Sequence, residues 1–105
     1  MDEYAMPTCR PNVPGQSPEE AWAATIAALP LGASVAGEVI GRQPFGVFIR
    51  VDGVPGAVAL AGILAIPEGM GLPVLGAYVR GEVIAYTEHN HQVRVQLHEP
   101  GTSLG

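Results

Sequence analysis

The spacing of apolar residues changes about one-third of the way along the chain, from a helical period to strict alternation. In the first part Trp22, Ile26 and Leu29 fall at i, i+4 and i+7, which places them on one face of a helix. The segment Ser17-Pro18-Glu19-Glu20 combines an N-cap serine, a proline at the first helical position and a glutamate that can bond back to the cap. The pattern predicts a helix over about residues 18–29 whose apolar face packs on the rest of the protein.

The alternation that follows is typical of short β-strands separated by turns. We expect strands around residues 35–39, 47–51, 58–60, 77–86 and 93–97. The connection between the third and fourth strands is long, and its candidate anchors to the core are Ile63, Leu64, Leu72 and Leu75. Five strands with the long connection in this place follow the order of an OB-fold, a small Greek-key barrel. The sequence therefore predicts an all-β, five-stranded OB-fold barrel with an added N-terminal α-helix.

Length and breaker residues define the domain organisation. The 105 residues are enough for one core and too few for two ordinary domains. Residues 1–16 and 99–105 have no apolar period, so we expect a disordered N-terminal tail and a flexible C-terminal tail. Between them we place the helix, in residues 17–31, and the barrel domain, in residues 32–98.

Composition and charge exclude several classes of function. The net charge is -5 and the chain has no lysine, so strong attraction to duplex DNA, a Walker phosphate loop and Schiff-base catalysis are all excluded. The single cysteine, Cys9, rules out an intrachain disulfide and a cysteine-based zinc site. The acidic start and the lack of a long apolar run indicate a cytoplasmic protein without a membrane segment. The shortage of lysine beside abundant Ala, Gly, Pro and Arg fits a codon bias, and we expect a bacterial source.

Catalytic and metal chemistry find little support in the residue spacing. Glu38 and Glu82 can be neighbours on adjacent strands, but paired carboxylates on a barrel exterior are usually solvated. His89, His91 and His98 lie close in sequence without the carboxylate pattern that would complete a metal site. We therefore expect no catalytic residues, no metal and no cofactor.

Several motifs of the alternating region together resemble one known family. They are Gly37-Glu38-Val39-Ile40, Phe45-Gly46-Val47-Phe48-Ile49, Gly53-Val54-Pro55-Gly56-Ala57-Val58, Gly76, Val83-Ile84 and Asn90-His91-Gln92-Val93-Arg94-Val95. Over about residues 32–98 the chain resembles the S1 RNA-binding domain. The resemblance implies that single-stranded RNA lies across one outer face of the barrel and that two phenylalanines stack on its bases.

The RNA-contact positions of the S1 family are only partly matched. Phe45 and Phe48 correspond to the two aromatic residues, but Ala59 stands at the histidine position, Thr87 at the aspartate and Gln92 at the arginine. Arg94 lies two residues further along the same strand face and can substitute for that arginine. The predicted RNA-binding residues are Phe45, Phe48, Arg50, Arg80, Gln92 and Arg94.

Strand parity indicates where the two aromatic rings point. Phe48 shares parity with Arg50, so we expect it to face outward and be exposed for stacking. Phe45 stands at the start of the same strand, where the ring either reaches a base or is tucked under the rim of the barrel.

Two functions remain open on the sequence alone. The first is weak binding of single-stranded RNA, since stacking is worth about 1–3 kcal/mol per base and few arginines are present to contact phosphates. The alternative is a degenerate S1 domain that acts as a protein-interaction module, for example with an immunity or antitoxin-type partner. A positive strip beside the aromatic rings favours RNA, whereas a neutral apolar patch favours a protein.

Overall fold

One helix and five strands form the structure, a computed structural model that describes residues 14–67, 69, 71–88 and 91–98. The elements are helix α1 (Pro18–Ala28), strands β1 (Ser34–Gln43), β2 (Gly46–Val51) and β3 (Val58–Gly62), a 3₁₀ turn (Ile63–Ala65), and strands β4 (Tyr78–Thr87) and β5 (Gln92–Leu97). The predicted five-stranded OB-fold barrel with an added helix is confirmed. The C-terminal tail and most of the N-terminal tail, with Cys9, lie outside the described residues, as does His89.

The five strands close into a barrel in the order β1-β2-β3-β5-β4, with β4 pairing back onto β1. Neighbouring strands are antiparallel except β3 and β5, which run parallel. The two longest strands are irregular, β1 between Val39 and Gly41 and β4 between Val83 and Ala85. Such bulges bend a strand, and here they let β1 and β4 follow the curvature of a small barrel.

The interior of the barrel is filled by one face of every strand. Its buried side chains are Val35, Val39, Val47, Ile49, Val51, Ala57, Ala59, Ala61, Val79, Val83, Val93, Val95 and Leu97, joined by Trp22 and Leu29 of the helical segment. Gly37 allows the barrel to be this narrow, because a Cβ atom there would overlap the carbonyl oxygen of Arg50 on β2. The alternation read from the sequence is thus the alternation between core and surface.

The helix begins at the capping box that the sequence predicts. The backbone N–H of Glu20 donates to Oγ of Ser17 at 3.0 Å, and the N–H of Ser17 donates to the Glu20 carboxylate at 2.9 Å. Both bonds satisfy donors that a helix leaves free at its first turn. In the described part of the chain, no helix has the length and apolar character needed to cross a membrane.

Aromatic contacts hold α1 against the end of β4 and the start of β5. The buried Trp22 ring stacks on His91, with centroids 5.2 Å apart, and meets the edge of Tyr86 at 6.1 Å. The Tyr86 hydroxyl donates to the carbonyl of Leu29 at 2.8 Å, which ties the C-terminal end of the helix to β4. The helix is therefore part of the barrel's packing.

The long connection between β3 and β4 is anchored differently from the sequence expectation. Of the four predicted anchors, Leu72 packs partly against the core, whereas Ile63, Leu64 and Leu75 are exposed, so those three predictions are wrong. For Ile63 and Leu64 the reason is that β3 ends at Gly62 and the 3₁₀ turn breaks the alternation. Arg42 adds a polar anchor by donating to the carbonyls of Leu72 and Pro73, at 3.3 and 3.0 Å.

Replacing Trp22 with alanine removes the largest side chain that joins the helix to the barrel. We expect Trp22→Ala to lower the free energy of unfolding by about 3–5 kcal/mol, because the truncation leaves a cavity beside Tyr86. Chemical denaturation followed by circular dichroism measures the loss. Ala24→Ser, an exposed change on the same helix, is the control and should cost less than about 1 kcal/mol. Equal midpoints for the two variants would show that the helix does not stabilise the barrel.

Candidate nucleic-acid interface

The ring of Phe48 lies on the outer side of β2 but is fully buried. Phe48 pairs with Leu60 of β3, whereas its neighbours Val47 and Ile49 belong to the interior cluster. Its exposed fraction is nevertheless 0%. The expected outward direction is therefore correct, but the prediction that the ring is exposed for stacking is wrong.

Local packing explains why this outward ring is covered. Phe48 forms a second, smaller buried cluster with Val58 and Leu60, and the ring of Phe45 meets it edge-on at 6.1 Å. On the other side β1 presents Gly41, where a Cβ atom would lie 3.2 Å from the Phe48 ring. The missing side chain at Gly41 leaves room for the Phe48 ring. Phe48 therefore supports Phe45 from below.

Two further positions taken from the family pattern point away from solvent. Ala59, at the expected histidine position, pairs with Ile49 and belongs to the interior cluster, and it is Leu60 that stands opposite Phe48 on the outer side. Gln92, predicted to contact RNA, is also buried, with an exposed fraction of 1%. A ligand on the surface described here has no direct access to Gln92, so that prediction is corrected as well.

The ring of Phe45 remains accessible and lines a groove, hereafter the Phe45 groove. The ring is 41% exposed, and the groove beside it has a volume of about 450 Å³. Its walls are Phe45, Gly62, Ile63, Leu64, Ala65, Ile84, Arg94 and Gln96. The backbone N–H of Ile63 donates to the carbonyl of Phe45 at 2.8 Å, which holds the 3₁₀ turn next to the ring. The groove thus has an aromatic wall in a fixed place.

Arg94 is the one cation among the walls of the Phe45 groove. A Cβ atom at Gly62 would lie 3.1 Å from Nη2 of Arg94, so the glycine makes room for the guanidinium. Nε of Arg94 is buried and has no hydrogen-bond partner among the described residues. The guanidinium is therefore positioned by packing and is not neutralised by a carboxylate of the described structure.

The four described arginines fall into two classes. Arg42 donates to backbone carbonyls, and Arg50 forms an ion pair with Glu38 at 2.6 Å. Arg80 and Arg94 have neither a carboxylate nor a hydrogen-bond acceptor as partner within the described ranges. Of the four arginines that the structure describes, only these two are open to an anionic ligand, and Arg50, although predicted as an RNA contact, is already paired with Glu38.

Arg80 lies in a second depression on the outside of the barrel, hereafter the Tyr78 pocket. This pocket has a volume of about 400 Å³ and is lined by Leu29, Ser34, Val35, Ala36, Val51, Asp52, Tyr78, Arg80, Gly81 and His98. The Tyr78 hydroxyl donates to the Asp52 carboxylate, and Nε2 of His98 lies 3.6 Å from the Glu82 carboxylate. The predicted site residues are thus divided: Phe45 and Arg94 share one groove, and Arg80 lies in the other.

Of the eight walls of the Phe45 groove, two were predicted as RNA contacts and two were expected in the core; the four that were not predicted are Gly62, Ala65, Ile84 and Gln96. Ile84 and Gln96 lie on the outer faces of β4 and β5, and the alternation with the buried Val83 and Leu97 already indicated this orientation. Ile63 and Leu64 were expected to anchor the connection to the core, but in the 3₁₀ turn that follows β3 both side chains are exposed. Within the described residues no three His, Cys, Asp or Glu side chains are grouped as a metal site would require.

The fold and these two depressions define an OB-fold barrel whose outer surface pairs accessible rings with unpaired arginines. A comparison with solved structures finds GSP13 from Bacillus subtilis, with a TM-score of 0.56 and 22% sequence identity. The match covers 66% of this chain and 55% of the GSP13 chain, so this protein spans little more than half the length of that structure. At this identity the likeness shows the fold. No protein-family model matches the sequence, and no curated protein matches it.

Tyr78 is an exposed tyrosine whose hydroxyl donates a hydrogen bond to the Asp52 carboxylate. This hydrogen bond, together with lost hydration and the carboxylate charge, raises the pKa of Tyr78 above its ordinary value of 10.0, against a smaller opposing effect of Arg80. Because the folded pKa is above the unfolded one, the contribution to stability is complete below pH 10 and is lost as the pH rises through the folded pKa.

We therefore expect the melting temperature of the wild type to exceed that of Tyr78→Phe by a constant amount up to about pH 10, and by a shrinking amount above it. Thermal denaturation across a pH series measures this, and the tyrosinate absorbance should show a late transition that Tyr78→Phe lacks. A melting difference that stays constant through the alkaline range would contradict the assigned hydrogen bond.

Proposed function

We propose that this protein is a binding module for single-stranded RNA and that the Phe45 groove is its primary site. The observation that carries the proposal is the juxtaposition, in one groove, of an accessible phenyl ring and an arginine without a carboxylate partner. OB-folds that bind single strands combine these two elements, a ring on which a base stacks and a cation that follows the backbone. We propose RNA and not DNA as the ligand because the sequence motifs resemble those of the S1 RNA-binding family.

Phe45 and Arg94 contact different parts of one nucleotide in this proposal. A base stacked on Phe45 lies between this ring and the apolar wall formed by Ile63 and Ile84, and the adjoining phosphate faces the guanidinium of Arg94. Phe48 does not contact the ligand in this arrangement, but its edge-on contact fixes the orientation of the Phe45 ring. A fixed ring loses little conformational entropy when the base binds.

The charge of the chain makes this binding weak. The net charge is -5, and one or two phosphate contacts give a salt dependence with a slope of only about 0.7 per contact. Most of the affinity must then come from stacking, at about 1–3 kcal/mol per base. The protein is thus proposed to bind RNA with modest affinity that changes little with salt.

Replacing Phe45 with alanine should weaken RNA binding about 5- to 140-fold, the equivalent of one stacked base. Arg94→Gln should weaken it and reduce the salt slope by about 0.7. The measurement is the fluorescence anisotropy of a labelled single-stranded oligoribonucleotide titrated with protein at several salt concentrations.

Arg50→Gln provides the matched control for this titration. It removes the same charge as Arg94→Gln, but from an arginine that Glu38 already pairs, so its affinity and salt slope should stay close to those of the wild type. Equal losses for the two arginine variants would mean that net charge and not the groove attracts RNA. Unchanged binding by Phe45→Ala would refute stacking in this groove.

A second candidate, docking of a protein partner on the same groove, is favoured by one observation. Leu64 is 99% exposed and Ile63 54% exposed, and both stand on the rim of the groove. Large apolar side chains in such positions are typical of protein-interaction surfaces. In this reading Phe45 and Arg94 are contacts to a polypeptide.

Leu64→Ser separates the two candidates. If a base stacks on Phe45, we expect RNA affinity to fall by less than about threefold, because Leu64 stands at the rim. If the groove binds a protein, a stoichiometric polypeptide should co-purify with the wild type from the native host but not with Leu64→Ser. In that case neither the wild type nor the variant should bind RNA. RNA binding that falls as far in Leu64→Ser as in Phe45→Ala would contradict the geometry proposed for the stacked base.

A further inference from the structure

The outer face of β4 joins the Phe45 groove to the Tyr78 pocket. Tyr78, Arg80, Glu82 and Ile84 alternate with buried residues along this strand and so share one side of it. Ile84 lines the groove, while Tyr78 and Arg80 line the pocket. Ile84 is six residue steps along the strand from Tyr78, which corresponds to about 20 Å.

Strand β5 runs beside β4 and continues the same surface. Its outer residues Arg94 and Gln96 belong to the groove, and the following residue on that side, His98, belongs to the pocket. The N–H of His98 donates to the carbonyl of Arg80 at 2.9 Å, so the two strands stay paired as far as the pocket. Groove and pocket are therefore the two ends of one two-stranded face.

The Tyr78 pocket repeats two elements of the Phe45 groove, an accessible ring and an arginine, and adds the carboxylate of Asp52. The ring of Tyr78 is 59% exposed, and its hydroxyl is fixed by the hydrogen bond to Asp52. Arg80 stands two residues away on the same side of β4 and lacks a carboxylate or hydrogen-bond partner among the residues described. An accessible ring that is held in place thus stands again beside an unpaired guanidinium.

We infer that the Tyr78 pocket is a second nucleotide-binding site and that one RNA strand runs along β4 and β5 from the Phe45 groove to this pocket. The inference rests on the proposed function, since it extends the same ligand to a second site. A base stacks on Tyr78 and its phosphate contacts Arg80, as Phe45 and Arg94 do at the other end. A separation of about 20 Å lies within the span of the roughly 4–16 nucleotides that one OB-fold binds.

Glu82 lies between the two sites, and its negative charge opposes the binding of an RNA strand. It pairs with Gln96 across β4 and β5, and its carboxylate is 48% exposed, 3.6 Å from His98. A carboxylate beneath the RNA backbone repels its phosphates, so Glu82 lowers the affinity for an RNA strand that crosses it. Removal of this charge should therefore strengthen binding of a long strand and leave a short one nearly unaffected.

The experiment compares two labelled oligouridines, of about four and about twelve nucleotides, chosen within the range of OB-fold site sizes. Tyr78→Leu should weaken the binding of the longer oligonucleotide about 5- to 140-fold. It should weaken the binding of the shorter one, which still occupies the Phe45 groove, by no more than about twofold. Tyr78→Phe keeps the ring and should bind the longer strand within about twofold of the wild type.

Two charge variants complete the series. Arg80→Gln should lower the affinity for the longer oligonucleotide only, whereas Glu82→Gln should raise that affinity by at least about twofold. Arg50→Gln, which removes an already paired charge from another part of the barrel, is the control and should change neither strand. Circular dichroism of each variant checks that the exposed substitutions leave the barrel folded.

The outcomes separate this inference from the proposed function. If Phe45→Ala weakens both strands but Tyr78→Leu, Arg80→Gln and Glu82→Gln leave the longer one unchanged, the second site is wrong and the primary site stands. If the wild type binds neither strand, the proposed function fails and the inference fails with it. Selective loss of the longer strand in Tyr78→Leu, with gain in Glu82→Gln, supports a strand that spans both sites.

Discussion

Backbone pairing of β1 with β4 closes the sheet, and this closure is the constraint on which the rest of the structure depends. In a closed barrel each strand has one side in the core and one side outside, so the alternation of residues decides what a ligand can reach. Where the outer side is itself covered, as at Phe48, the accessible surface moves to the neighbouring strands. The barrel thereby leaves the aromatic rings of Phe45 and Tyr78 accessible, at opposite ends of the outer face formed by β4 and β5.

The distribution of charge partners narrows the surface further. With no lysine and five arginines, the protein has few cations. One of them, Arg50, is already paired with Glu38 and is therefore less available to a ligand. Among the described arginines, Arg80 and Arg94 have neither a carboxylate nor a backbone carbonyl as partner, and each stands beside an accessible ring. The low charge is thus concentrated where aromatic stacking is available, which fits a weak binder of single strands better than a binder of duplexes.

Features that depend on neighbours in the chain were predictable from the sequence. The capping box at Ser17 and Glu20 and the two-residue period of the strands are local, and the order of the elements then led to the barrel. The burial of Phe48 was not predictable in this way, because it depends on the missing side chain of Gly41 on the next strand. The partner of Arg50 is likewise contributed by a different strand.

The site shows the same division between local and nonlocal causes. The resemblance to the S1 family pointed to Phe45, and strand parity pointed to Arg94, and these two residues do share a groove. The expectation that Leu64 anchors the connection to the core was wrong, because the 3₁₀ turn after β3 leaves its side chain exposed. Ala59 lies in the core and its neighbour Leu60 on the outer side, because a step of one residue along a strand exchanges core for surface.

Nuclear magnetic resonance mapping tests the central claim most directly, since it locates the ligand without any substitution. Backbone amide shifts of the uniformly labelled protein are followed as single-stranded oligouridine is added. The account predicts that the largest shifts fall at Phe45, the 3₁₀ turn and the outer residues of β4 and β5, with little change around Val58 on β3. Shifts centred on β2 and β3 around Phe48 and Val58, or no shifts at saturating oligouridine, would contradict it.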